Sequence, residues 1–218
     1  MMQTATTAQK APVLETLNDS MRFASSRRIF EIVCAELDEN GEKREIYLAA
    51  MRGTNRSRDP RDPLSLNTCL QAFMGKPSNY LYAVKRAMLA TIPQGAPVAL
   101  AGHSLGGMIA QQLAADETVN ANFDLLNALA IGSPFVPVKG RVCPLRRFAD
   151  KADFIPWLGF SIKANLKSAK PVFESNGYFG KPVLAHTDSY RNAPAWTRYD
   201  PFGEPEGGRR LTLTGCGE

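Results

Sequence analysis

Val98-Ala-Leu-Ala-Gly102-His103-Ser104-Leu105-Gly106-Gly107 decides how this chain is read. Val98–Ala101 is short, apolar and bounded by turn residues, as a buried parallel strand is. Leu105–Ala115 has the apolar spacing of a helix. Between them a Gly-x-Ser-x-Gly sets a serine on a tight strand-to-helix turn. The flanking glycines let strand and helix approach closely, and the helix N-terminus aims N–H groups at any oxyanion formed there. The plain alternative is a glycine-rich turn with an incidental serine.

Outward from this turn, Leu125–Ile131 and Leu145–Ala149 read as further strands, and Tyr80–Ile92 as a helix ended by Pro93-Gln94-Gly95-Ala96-Pro97. Upstream, Ile29–Leu37 and Glu45–Met51 flank Asp38-Glu39-Asn40-Gly41, and Asn-Gly between β-type runs is the strongest short hairpin signal. Residues 53–64 are charged and broken by prolines, hence a loop. Residues 12–25 carry apolar Val13, Leu14, Leu17 and Met21 at helical spacing, and residues 1–11 read as frayed. Past Asp153 the pattern is irregular, and from about residue 205 it looks like a tail. Strands alternating with helices predict a mainly parallel α/β sheet behind an N-terminal antiparallel hairpin. At 218 residues one domain is expected.

Composition narrows the classes. With 44% hydrophobic and 22% charged residues the chain is neither disordered nor collagen-like. No apolar run reaches the roughly 18 residues of a membrane span. No secretory leader is legible, and Cys34, Cys69, Cys143 and Cys216 form neither a CxxC pair nor a metal spacing. A disulfide framework is therefore not expected, and the cytoplasm is the expected location, with leaderless export left open. The charge of +5 is uneven: residues 139–170 hold eight bases and two acids, so the remainder nets −1. That segment is either a solvated basic face or a surface for an anionic partner such as lipid headgroups. The bases form no nucleic-acid motif.

A serine at its ordinary pKa needs a base. The chain has two histidines. His103 is adjacent to Ser104 and directed away by the turn, so it is placed with the substrate-binding candidates. His186, read as lying in a loop, is left as the base. If the order is nucleophile, acid, base, the orienting acid precedes His186. Asp153 follows the strand Leu145–Ala149 at the edge where sites of open α/β sheets lie, and Asp150 is the alternative. The one not used is expected to be a solvated loop carboxylate. Trp157 and Phe160 are the candidates for an apolar acyl groove, against ordinary core packing.

Taken together, these residues resemble the class 3 (fungal-type) lipase family of α/β-hydrolases. Gly102-His103-Ser104-Leu105-Gly106-Gly107 matches its GHSLGG motif in full. Ile46–Thr54 resembles its apolar strand ending in Arg-Gly-Thr, and Ile131-Gly132-Ser133-Pro134 is similar to its Phe-Gly-Ser-Pro turn. Arg147–Pro156 follows its Arg-Val-x-x-x-x-Asp-x-Val-Pro pattern, and His186 with Tyr190 resembles its His-x-x-x-Tyr. The resemblance spans about residues 28–190. It implies an α/β-hydrolase fold and puts the acid on Asp153. It implies Thr54 as second oxyanion donor beside the N–H of Leu105. It also implies hydrolysis of carboxylic esters, most simply lipid esters, without metal or organic cofactor. The family's lid helix usually follows Arg-Gly-Thr with a Trp and an Asp; residues 55–64 lack that pattern, so no conventional lid is expected. Two other classes stay open. One is another acyl-transfer enzyme on the same triad (thioesterase, peptidase or acyltransferase), and the other is a non-catalytic module that binds a lipid surface.

Overall fold

β1 (Phe30–Glu39) and β2 (Glu42–Met51) form an antiparallel hairpin with Glu39 opposite Glu42, in which β2 is exposed where it leaves the turn and largely buried from Ile46 onward. Its two-residue turn holds Asn40 at φ 57° and Gly41 at φ 95°, the left-handed pair that Asn-Gly tolerates. The computed structural model describes residues 29–55, 57–59, 61–158, 172–192, 198–200, 202–203 and 211–215. The helix read over residues 12–25 and the frayed residues 1–11 lie outside these.

From β2 the sheet continues in parallel through β3 (Pro97–His103), β4 (Asp124–Ile131), β5 (Leu145–Asp150) and the short β6 (Val172–Glu174). On the other side of the hairpin, β7 (Leu211–Gly215) pairs antiparallel with β1. Among the described residues the order is β6-β5-β4-β3-β2-β1-β7. The period of two assigns side chains to faces. Ala49, Met51, Val98 and Leu100 join one core with α1 (Leu66–Phe73), α2 (Asn79–Thr91), α3 (Leu105–Leu113) and α4 (Glu117–Asn122). Leu48, Ala99, Ala101, Leu129 and Phe148 face the other way. There Tyr190 packs on them from α6 (Ser189–Asn192), which directly follows α5 (Pro182–Thr187).

Helix starts follow capping chemistry. Ser65 accepts from the N–H of Thr68, Ser78 from that of Leu81, and Asp116 from those of Thr118 and Val119. Helix α3 lies hard against the strands that precede it. A Cβ on Gly102 would overlap the backbone of Gly106, and one on Gly106 would overlap the carbonyl of Met51.

Several expectations need correction. The supposed tail contains β7, whose Leu-Thr-Leu-Thr alternation is a strand pattern hidden by glycine- and proline-rich flanks. Helices α1 and α4 were not expected, and His186 sits on α5 and not in a loop. Cys34 is disulfide-bonded, while Cys69 and Cys143 are free. Because disulfides persist in oxidising compartments, the cysteine pattern no longer argues for a reducing one.

The basic segment is also divided. Val142 N–H donates to Ala114 O beyond the C-terminal end of α3, and Arg146 is the second residue of β5. Arg141 and Arg146 therefore sit at the end of the sheet away from Ser104, and Arg147 is buried. Lys163, Lys167 and Lys170 lie outside the described residues. No helix among the described residues is long and apolar enough to cross a membrane.

The tight seat of α3 gives a direct test. Gly106→Ala should cost about 1–3 kcal/mol by forcing helix and strand apart, read as a lower urea midpoint with an unchanged slope.

Candidate active site

Ser104 occupies φ 54°, ψ −117°, a conformation that non-glycine residues adopt only when their surroundings impose it. Its N–H donates to Ile131 O at 2.9 Å, and its own carbonyl accepts from Gly107 and Met108 in the first turn of α3. The side chain makes no cap to that helix. Instead Oγ lies 3.0 Å from His186 Nε2.

His186 Nδ1 is 2.9 Å from Asp153 Oδ2. Asp153 is fully buried, and its other oxygen accepts from the N–H of Ile155 at 2.9 Å. The Tyr190 hydroxyl donates to Oδ2 at 2.7 Å and accepts from the N–H of Asp150 at 2.9 Å. Burial, then the neighbouring Asp153 charge, pushes the Tyr190 phenol well above its usual range, so it stays a donor. Serine, histidine and aspartate are thus brought into one chain of hydrogen bonds from three separate elements.

The other candidates fall elsewhere. Asp150 is buried, against the expectation of a solvated carboxylate. It accepts from Ala152 N–H and from Asn176 Nδ2, each at 2.8 Å, and so stitches the turn after β5. His103 is buried behind the base and was misplaced among substrate contacts. Its Nε2 donates to the His186 carbonyl at 2.8 Å, and the two rings lie 4.7 Å apart. Arg147 is almost fully buried, and its Nη2 donates to the carbonyls of Ser133 (3.0 Å) and Pro156 (2.8 Å), tying the turn after β4 to the loop that carries Asp153. Burial lowers its pKa to about 10, which leaves it charged at neutral pH.

Ser104 and His186 open onto a groove of about 680 Å³. Its walls are Leu66, Leu70 and Phe73 of α1, Met108 of α3, and Ile155 and Leu158 after the acid. Thr54 and Arg58 stand at it too. Thr54 Oγ1 donates to Leu64 O at 2.6 Å, which ties off its hydroxyl proton. Trp157, expected in the groove, is instead stacked on Phe173 at 4.7 Å and 8°. Phe160 lies outside the described residues. The contribution of α1 was missed, although Ser65 as cap and Leu66, Cys69, Leu70 and Phe73 at spacings of three and four are a helix signal. No cluster of three or more His, Cys, Asp and Glu that could hold a metal forms among the described residues.

No curated protein matches the sequence. Among solved structures, the chain is similar to the Lip2 lipase from Yarrowia lipolytica at 15% identity and a TM-score of 0.34, covering 62% of this chain and 64% of that one. It is also similar to a Rhizomucor miehei lipase propeptide complex at 18% identity and a TM-score of 0.35, covering 67% of this chain and 59% of that one. The chain thus spans less than two thirds of the length of either lipase. A family profile described as the alpha/beta hydrolase family matches residues 23–214. With nearly the whole chain matched and the strand–serine–helix turn at the carboxyl edge of its parallel sheet, this protein belongs to the alpha/beta hydrolase family.

Proposed function

We propose that this chain is a serine hydrolase of carboxylic esters, with lipid esters as the substrate class and a mechanism like that of the class 3 lipases. One observation carries the reading. The Asp153–His186–Ser104 chain of hydrogen bonds ends at a helix N-terminus and beside an apolar groove. The GHSLGG motif and the acid-loop pattern in the sequence support it.

On this reading Ser104 Oγ attacks the acyl carbonyl while His186 Nε2 takes its proton. Asp153 accepts the Nδ1–H of His186, fixes its tautomer and offsets the imidazolium charge. The carbonyl oxygen becomes an oxyanion facing the main-chain N–H groups of Leu105 and Thr54. Collapse expels the alcohol, which takes the proton from Nε2 and leaves an acyl-serine. Water, deprotonated by the same nitrogen, then attacks the acyl carbon, and the Ser104–acyl bond breaks as Oγ takes that proton back from Nε2 and the carboxylic acid leaves. No step needs a metal or organic cofactor. Tyr190 and the N–H of Ile155 hold the carboxylate in place, and His103 holds the backbone of the base.

An exposed apolar rim including Leu66, Leu70 and Leu158 surrounds the groove. Such a rim suits the edge of a lipid aggregate, so contact with a membrane surface is part of the proposal.

Two measurements test this reading. A fluorophosphonate should add once, at Ser104, and Ser104→Ala should abolish both labelling and ester turnover; labelling that persists in Ser104→Ala would sink the mechanism. In the second, Asp153→Asn should lower kcat by about 10⁴ on the protease precedent. Asp150→Asn should act mainly on stability, and the reverse ranking would transfer the orienting role to Asp150. Thioester and peptide substrates run beside p-nitrophenyl esters of rising chain length would separate esterase from other acyl transfer.

A further inference from the structure

The loop between β2 and α1 carries four arginines (Arg52, Arg56, Arg58 and Arg61) among acids, and of those described Arg58 stands at the groove. The loop is ordered by its own hydrogen bonds. Asn55 N–H donates to Leu64 O at 3.2 Å, Leu66 N–H to Ser57 O at 3.0 Å, and Ser57 N–H to Asn55 Oδ1 at 2.8 Å. Its two carboxylates are already engaged. Asp59 is held by Arg61 through the main-chain N–H (2.9 Å) and Nε (3.2 Å), and Asp62 by Asn55 Nδ2 (2.7 Å) and Leu64 N–H (2.8 Å). These bonds draw both acids below the usual carboxylate range, so both stay charged and occupied. Arg58 has no ion pair among the described residues. It is exposed, and among the described residues it is the one permanently charged side chain of the groove lining, the rest being apolar groups with Thr54, Ser104 and His186.

An unpaired guanidinium at the edge of an apolar groove selects in two ways. A neutral ligand filling the groove would strip water from Arg58 without replacing its hydrogen bonds, which is unfavourable. A ligand with a carboxylate or phosphate at that point would meet a planar fork suited to two-pronged binding. The attraction would strengthen as the bound chain excluded water and lowered the local dielectric. Repulsion of the wrong partner and attraction of the right one thus act together.

We propose that Arg58 is a specificity-determining residue that recognises an anionic group on the substrate. The enzyme then prefers amphipathic esters carrying a carboxylate or phosphate beside an apolar acyl chain. This rests on the ester-hydrolase reading above.

The test uses octanoyl esters of four phenols: 4-hydroxybenzoate (carboxylate), 4-hydroxyphenyl phosphate, methyl 4-hydroxybenzoate (neutral) and 4-hydroxyphenyl-trimethylammonium (cationic). Wild type should show higher kcat/KM for the anionic esters than for the neutral one. That ratio should fall roughly fivefold in Arg58→Gln, the size of an exposed charge pair. It should recover in part in Arg58→Lys and invert in Arg58→Glu. The carboxylate and phosphate arms rank the two anions. A ratio that is the same in wild type, Arg58→Gln and Arg58→Glu overturns the inference. Should wild type cleave none of the esters, the hydrolase reading fails on its own, and binding decides the role of Arg58. Calorimetry on the Ser104→Ala protein would compare octanoate and octyl phosphate with octanol. A preference for the anions that Arg58→Gln removes supports the inference, and equal binding of all three overturns it.

Discussion

A carboxylate sealed from water is tolerated only where donors surround it, and Asp153 is where three stretches of this chain meet to supply them. Ile155 N–H comes from the turn after β5, His186 from α5 and the Tyr190 hydroxyl from α6. Helices α5 and α6 are short, of six and four residues, and could not be stable by themselves. What fixes them is this carboxylate together with the seat of Tyr190 on Leu129, Ile131 and Phe148. The carboxylate proposed to orient His186 is therefore also the joint that attaches the His186-bearing segment to the sheet. Removing one donor would leave an under-satisfied buried charge, so the position of His186 and the integrity of this corner cannot be varied separately.

A second constraint acts from the opposite side of the base. The left-handed conformation of Ser104 is unfavourable for a side-chain-bearing residue, and it persists because the backbones of β2, β3 and α3 are in contact through Gly102 and Gly106. Little slack remains for the serine to relax into an ordinary turn. The strain turns Oγ away from a helix cap and toward Nε2. Arg147 does similar work on the acid side. Its buried guanidinium binds the carbonyls of Ser133 and Pro156 across the loop that carries Asp153. Serine and acid are each held by main-chain geometry, while the histidine between them is held by hydrogen bonds at both ring nitrogens and at its carbonyl.

What could be read from the sequence was whatever is encoded locally. The elbow is a contiguous motif, the Asn40-Gly41 turn has a specific backbone requirement, and the strands of the parallel sheet are apolar runs of the right length. What could not be read depends on contacts between distant segments. The partner of β7 is β1, at the other end of the described chain, so its five residues looked like a tail. The disulfide at Cys34 was hidden for the same reason. Asp150 and Asp153 are three residues apart and alike in composition, and only the placement of Asn176 and Tyr190 separates their duties. Trp157 had the right chemistry for a groove wall, but Phe173 on β6 offers its ring a closer partner. Of the described part of the basic segment, Arg141 and Arg146 sit at the far end of the sheet and Arg147 is buried, so their charges do not add up on one surface.

The groove and the elbow act on different stages of the proposed reaction. Each acyl methylene that leaves water for the walls formed by Leu66, Leu70, Met108 and Ile155 contributes about 0.8 kcal/mol. That contribution is the same before and during attack, because the chain touches the same side chains in both. It lowers KM without accelerating the bond-making step. The N–H groups of Leu105 and Thr54 behave oppositely, since the oxygen they face gains its full charge only as Ser104 bonds to the carbon. Apolar burial thus places the ester, and the few polar groups at the helix N-terminus act on the transition state. Arg58, at the edge of the same groove, would on the proposed reading decide which ester is placed.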